Sequence, residues 1–424
     1  MKTKPIIIVE GGQYGSEAKG CVVGHLCKER NINYAVRTGS INAGHSVIYN
    51  GKKYKNQQIP VGWINLGTRL VIGAGAYIAP DILEKEVAEI NEATGMDVKE
   101  RLFIDPRCGI HLPSHHAAEK GMHERFGSTG EGCMAAIVDK MKRNFEYQTF
   151  GSHPSSKGYN LTDTSKLLND AYDAGKSIIL EGTQGHNLDL QYGFFPFVTS
   201  RQTIASQWVT EAGLSPALEY EVVLVARTYP IRVAGNSGPM DGETTWEELA
   251  SLINGKRAKY GLPPIVNDSA LVKFIDAKQE VAGELGLPNA GVERWSIEDK
   301  TKFSTELSGF YNKVLGKLDI ETQEELAKFF ELTTVTKKLR RIANLSFFDL
   351  NSAVRINRPK YVVLTFLEYE FPTMFNFPCA SWNDIKKSPE YPAIVRYLNQ
   401  MEKKLNTPVG YVNIDPSGLI KVGK

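Results

Sequence analysis

The run Ile6-Ile7-Ile8-Val9, followed by Gly11-Gly12-Gln13-Tyr14-Gly15-Ser16-Glu17-Ala18-Lys19-Gly20, constrains the fold more than any other stretch. Four consecutive apolar residues read as a strand buried on both faces. Val22, Val23 and Leu26 behind the glycines read as the buried side of a helix. Glycines let backbone approach an anion, N–H groups at a helix start point at it, and a lysine adds charge. The segment therefore reads as a phosphate cradle between strand and helix. Its spacing departs from G-x-x-x-x-G-K-[ST], because Lys19 precedes Gly20 and no hydroxyl residue follows. Taken alone, the stretch also fits a plain tight turn.

The remaining chain repeats the pattern. Tyr34 to Arg37, Leu70 to Ile72, Leu102 to Ile104, Ile178 to Leu180, Val222 to Ala226 and Tyr361 to Thr365 read as strands, several uniformly apolar. Pro80-Asp81 and Gly95 bracket a helix over 80–94. Ile394, Leu398, Met401 and Leu405 recur at helical spacing, and Asn50-Gly51 between apolar segments reads as a hairpin turn. These elements predict an α/β fold with a large, mainly parallel central sheet flanked by helices. Residues 1–424 read as a single domain, with the more polar 235–300 a candidate accessory lobe, helical or irregular, within it.

With 424 residues, 42% hydrophobic and 23% charged, the chain has length for a large core. A formal net charge of +2 leaves no electrostatic footprint for duplex nucleic acid. No run of about 18 apolar residues spans a bilayer, and the apolar segment near the start is too short for a signal peptide. Cys21, Cys27, Cys108, Cys133 and Cys379 are scattered without C-x-x-C spacing and read as reduced thiols in a cytosol. The expectation is a cytoplasmic protein without membrane or nucleic-acid partners.

Further motifs fall at strand ends, where open α/β sheets bind ligands. Asn42-Ala43-Gly44-His45 follows the second strand, and a histidine there suits acid–base work near neutral pH. Gly127-Ser128-Thr129-Gly130-Glu131-Gly132 enters a helix and suits either phosphate binding or N-capping. Glu181-Gly182-Thr183-Gln184-Gly185 follows another strand, and Thr199-Ser200 comes soon after. Thr333 to Arg341 concentrates hydroxyls and cations, as a carboxylate or phosphate pocket would. His111, His115, His116 and His123 lack convincing zinc spacing and read as structural or surface residues. Cys21 and Cys133 read as packing residues. The five scattered tryptophans, Trp63, Trp208, Trp246, Trp295 and Trp382, form no base-stacking platform and read likewise.

In order and spacing these motifs resemble the adenylosuccinate synthetases over nearly the whole chain. The family's W-G-D-E-G-K-G loop matches Tyr14-Gly15-Ser16-Glu17-Ala18-Lys19-Gly20, and Pro196-Phe197-Val198-Thr199-Ser200 resembles another signature. The resemblance implies a C–N ligase. A nucleoside triphosphate phosphorylates O6 of a 6-oxopurine nucleotide with Mg²⁺, and the amine of L-aspartate then displaces that phosphate. It assigns Gly15, Ser16, Glu17, Ala18, Lys19, Gly20, Gly44, His45, Thr365, Phe366, Glu368 and Asn413 to the donor nucleotide. The purine monophosphate falls to Ser16, Asn42, Ser128, Thr129, Arg143, Gln184, Thr199 and Val233. Aspartate falls to Val335, Thr336, Lys338 and Arg340, and the metal to Ser16 and Gly44. His45, Ser16, Lys19 and Gln184 carry the chemistry, and Arg143 reaches a neighbouring subunit's monophosphate in a homodimer.

Three departures from the family pattern matter. Ser16 stands where the family has an aspartate that takes the N1 proton of IMP and helps hold the metal. T-K-L-D, which selects guanine on the donor, becomes Thr365-Phe366-Leu367-Glu368. Lys338 stands for an arginine and loses its fork. The first two resemble a viral branch of the family, the PurZ branch. That likeness implies dGMP as acceptor, ATP or dATP as donor, and N6-succino-2-aminodeoxyadenylate as product, for diaminopurine DNA of a bacteriophage in host cytoplasm. Against it stand an ordinary adenylosuccinate synthetase using IMP and GTP, and a catalytically silent nucleotide-binding paralogue.

Overall fold

Alternate residues of the first strand bury into opposite apolar layers, which is why the run is uniformly apolar. In this computed structural model, covering residues 4–119, 130–332, 339–415 and 418–423, Ile7 and Val9 join one cluster with Val22, Leu26 and Trp63. Ile6 and Ile8 join another, with Leu168 and Trp208. A strand period of two with helices on both faces demands this pattern.

The strands in chain order are β1 (Ile6–Gly11), β2 (Tyr34–Arg37), β3 (His45–Tyr49), β4 (Lys52–Asn56), β5 (Arg69–Ile72) and β6 (Tyr77–Ile78). They continue with β7 (Leu102–Ile104), β8 (Gly109–Ile110), β9 (Asn160–Leu161), β10 (Ile178–Glu181), β11 (Tyr220–Arg227) and β12 (Ile231–Arg232). The last are β13 (Glu243–Thr244), β14 (Arg341–Ala343), β15 (Tyr361–Thr365), β16 (Val409–Val412) and β17 (Ile420–Lys421). Ten of them form one sheet in the order β17-β16-β15-β11-β1-β10-β2-β5-β7-β9. Only β17, lying against β16, runs antiparallel to its neighbour. All six expected strands after β1 are present, and the fold class is the expected one.

Helix α1 (Lys19–Glu29) follows the glycine-rich loop, and α2 (Pro80–Thr94) has Pro80 in its first turn and Gly95 beyond its end at φ +69°. The helix Tyr391–Leu405 buries Ile394, Leu398, Met401 and Leu405 along one stripe. Asn50-Gly51 closes the β3–β4 hairpin. The polar stretch 235–300 belongs to a helical unit with its own apolar cluster. Trp246, Phe274, Phe310 and Phe329 meet there, so that unit continues past residue 300. Its hydrophobic residues are spread at helical intervals among charges, which hides the core in a composition average. Among the described residues no helix is long and apolar enough to cross a membrane.

Candidate functional site

Because β1, β2, β10, β11 and β15 run parallel, the loops after them meet along one rim of the sheet. The loop after β1 turns through left-handed backbone at Gly15 (φ +84°), Ser16 (+61°) and Ala18 (+67°). Non-glycine residues hold that conformation only where neighbours enforce it. Here Glu17 does so: fully buried, its carboxylate accepts the N–H of Gln13 at 3.2 Å and of Gly15 at 2.8 Å. The Lys19 ammonium meets the same carboxylate at 2.6 Å and also donates to the carbonyl of Gln184, itself at φ +63°. A side chain at Gly11 would fall within 2.8 Å of Lys19 Nζ and Glu17 Oε2, so this packing requires glycine. The loop after β1 is thereby clamped to the loop after β10.

At the end of β2, Arg37 pairs with Glu181 at the end of β10, and both are buried. His45 opens β3 with Nδ1 2.6 Å from Glu181 Oε1 and 2.9 Å from Arg37 Nη1. Burial, and then the Arg37 charge, push the His45 pKa down to about 4 against the pull of Glu181. Burial alone would raise the Glu181 carboxyl. Arg37, His45 and the N–H of Val61, at 2.8 Å, together hold it below its ordinary value. The result is a neutral imidazole, oriented through Nδ1, at the rim.

On the other side of β1, Thr365 donates to the carbonyl of Glu17 at 3.0 Å. Phe366 follows at φ +58°, with the buried Arg227 guanidinium 3.6 Å over its ring. Arg227 also bonds the Ser16 carbonyl at 3.2 Å and pairs with Glu331. Glu368 is buried with one carboxyl oxygen unpartnered among the described residues, and burial raises its pKa well above the usual range. Asn413 is buried, its amide on the carbonyls of Asp415 and Gly418. Arg340 donates from Nη1 to the Ser16 hydroxyl at 2.9 Å.

The structure thus gathers Gly15 to Gly20, His45, Gln184, Arg340, Thr365 and Phe366 around one rim. Asn42 lies half-buried between β2 and β3, and Gly44 is exposed beside His45. Thr199 donates its N–H to Leu188 at 2.8 Å. Val233 follows Arg232, whose guanidinium donates to the Phe197 carbonyl at 2.7 Å. Arg143 stands exposed beyond the helix Cys133–Met141. Ser128, Thr129, Val335, Thr336 and Lys338 lie outside the described residues. Sequence reasoning assigned no role to Arg37, Glu181, Arg227 or Glu331, which anchor the loops. The available signal was a charge ending an otherwise apolar strand, as in Tyr34-Ala35-Val36-Arg37 and Ile178-Ile179-Leu180-Glu181.

His115 and His116 each meet the His111 ring edge-on, with His111 Nε2 2.7 Å from the Glu131 carbonyl; His123 lies outside the described residues. Cys21, Cys27, Cys108 and Cys133 are buried and form no disulfide, and Trp63, Trp208 and Trp246 are core residues.

Two buried histidines predict acid sensitivity. Burial lowers the pKa of His186, as it does that of His45, to about 4. The unfolded chain then binds more protons than the native state between about pH 6.5 and 4. Their stabilisation is complete above that window and is lost as pH falls through it, on the order of 3 kcal/mol for each. Urea midpoints at pH 7.5 and 4.5 should differ accordingly. A flat profile would contradict the burial of both rings.

A glycine-rich loop beside an oriented histidine, on the rim of a parallel sheet, is the architecture of a nucleotide-handling α/β enzyme. The family model for adenylosuccinate synthetase matches residues 8–150 and 146–411, and the chain belongs to that family. The family is one of C–N ligases joining aspartate to a purine nucleotide with a nucleoside triphosphate and Mg²⁺. The adenylosuccinate synthetase of Methanococcus maripaludis (strain C6 / ATCC BAA-1332) is 37% identical over 265 residues, covering 60% of this chain and 76% of the relative. That of Pyrococcus horikoshii is 35% identical over 268 residues, covering 61% and 77%. Among solved structures, cyanophage S-2L succinoaminodeoxyadenylate synthetase (PurZ), bound to dGMP and dATP, superposes with TM-score 0.66 at 21% identity, covering 100% of this chain and 97% of that one. Fully ligated adenylosuccinate synthetase from Plasmodium falciparum does so with TM-score 0.66 at 17% identity, covering 99% and 100%. These two likenesses bear on the fold.

Proposed function

We propose that the chain joins L-aspartate to C6 of dGMP, with ATP or dATP as phosphoryl donor, giving N6-succino-2-amino-2'-deoxyadenylate. The observation that carries this reading is Ser16: a neutral, exposed hydroxyl at the rim, accepting a hydrogen bond from Arg340. A carboxylate there would be larger and bound closely by that arginine. A hydroxyl leaves room for a purine bearing a 2-amino group, and contacts N1 or that amino group. The donor side supports the same reading, since Phe366 backed by Arg227 offers an adenine ring a stacking face in place of the family's lysine.

In this reading Gly15 to Gly20, with Lys19, hold the donor phosphates, and Thr365, Phe366, Glu368 and Asn413 receive its base. Asn42, Ser128, Thr129, Thr199, Val233 and Gln184 hold dGMP. Val335, Thr336, Lys338 and Arg340 hold aspartate. Arg143, exposed on the surface, serves the partner's monophosphate in a homodimer. The Gly44 carbonyl and the Ser16 hydroxyl are oxygen donors that fit Mg²⁺, with donor phosphates completing its shell. Bound there, Mg²⁺ supplies positive charge to the transferring phosphoryl group. His45, held through Nδ1, presents its remaining ring nitrogen to O6 and the phosphoryl oxygens.

Phosphate release by the purified protein tests the assignment: dGMP with aspartate and ATP should exceed IMP with aspartate and GTP by at least about tenfold. Ser16→Asp should shift the ratio toward IMP by about tenfold or more, the scale set by losing one well-placed hydrogen bond or gaining a clash. A strong preference for IMP overturns the proposal. The second reading, an IMP- and GTP-using synthetase, is favoured by the names of the archaeal relatives at 35–37% identity.

A further inference from the structure

The β3–β4 hairpin carries one lysine that is not fully exposed. Lys52 and Lys53 are exposed, whereas Lys55 is half-buried and sits opposite Ser46, next to His45. Its side chain crosses Gly44. A Cβ at position 44 would overlap Lys55 Cε and stand 3.0 Å from the ammonium nitrogen, so glycine there is what admits the lysine. The Lys55 ammonium makes no hydrogen bond or ion pair among the described residues. The charges around it are Glu131 and Glu86, which attract it, and Arg340 and Lys85, which repel it. Glu86 is already occupied by the N–H groups of Gln57, Gln58 and Ile59. A partly desolvated cation without a close anion, facing another cation, is costly unless an anionic ligand completes it.

We infer that Lys55 is a catalytic residue whose ammonium hydrogen-bonds the phosphoryl group while it passes from the donor to the purine oxygen. The inference rests on the reading above that Gly44 and His45 face that transfer. In the step, O6 forms a bond to the γ-phosphorus, and the bond from phosphorus to the β,γ-bridging oxygen breaks. The electron pair leaves with the nucleoside diphosphate, and the N1 proton passes from the purine ring to solvent water. Lys55 keeps its proton throughout and neutralises charge on the non-bridging oxygens. When the aspartate amine later bonds C6, the C6–O bond breaks and inorganic phosphate departs.

Lys55→Met and Lys55→Arg test this in the full-length protein. With the donor labelled by ¹⁸O in the β,γ bridge, scrambling of label in the presence of the purine monophosphate, without aspartate, reports the first step alone. Lys55→Met should slow scrambling and kcat about 10²-fold, the scale for removing one oriented charge-stabilising donor. KM for aspartate and for the monophosphate should stay within about threefold. Lys55→Arg should recover part of the rate by keeping the charge. Because Lys55 holds no partner among the described residues, the thermal midpoint should not fall in either variant. Scrambling at the wild-type rate in Lys55→Met overturns the inference, as does a defect confined to KM for aspartate. Failure of wild-type protein to release phosphate with any acceptor would instead sink the ligation reading itself.

Discussion

His45→Ala is expected to lower kcat by about 10²–10⁴-fold, the range for removing a positioned acid–base group. Its imidazole is oriented by Glu181 at 2.6 Å and by Arg37 at 2.9 Å, and burial keeps it neutral in the free protein down to about pH 4. In the proposed binding mode, negative charge on bound phosphoryl groups would raise that pKa and let the ring hold a proton near O6. The variant should fold. Glu181 retains Arg37 and the Val61 N–H, so no buried charge is orphaned, and the thermal midpoint should move by only a few degrees. Turnover and thermal unfolding of the same preparation check both halves. A variant within tenfold of wild type would remove His45 from the chemistry.

Lys19→Met should abolish turnover and also destabilise the protein by about 3–5 kcal/mol, the cost of leaving one member of a buried pair uncompensated. Glu17 is fully buried, with Lys19 at 2.6 Å as its close cation, and the two N–H groups it accepts do not neutralise it. Adding Glu17→Gln removes the orphaned charge. The double variant should therefore regain most of the stability and none of the activity. Urea unfolding of the two single variants and the double variant closes a cycle, with coupling expected at about 1–3 kcal/mol. Recovery of turnover in the double variant would show that Lys19 serves Glu17 and not the donor phosphates.

The elements of the fold were legible because each carries its own period. Ile6 to Val9 could satisfy a parallel sheet only with both faces covered, and Ile394 to Leu405 marks one helical stripe without any partner in view. The glycine-rich loop was legible as the turn between a strand and a helix. Its inner arrangement was not, because the Glu17–Lys19 clasp depends on Gln184, 165 residues later than Lys19 in the chain. Arg37 and Glu181 looked like ordinary strand ends, and only the register of β2 beside β10 makes them a pair that orients His45. Lys55 reads as one of several lysines in a polar hairpin until the fold lays it across Gly44.

Sequence by itself determined the α/β class, the order of strands along the chain, the family and the departures at Ser16 and Phe366. Local periodicity and short motifs suffice for those, since each is written within a few consecutive residues. Tertiary structure alone decided which charges meet: Glu17 with Lys19 and Gln184, Glu181 with His45, Arg227 with Phe366 and Ser16, Arg340 with the Ser16 hydroxyl. Most of those contacts join loops far apart in the chain, and burial magnifies each charge once the sheet brings them together.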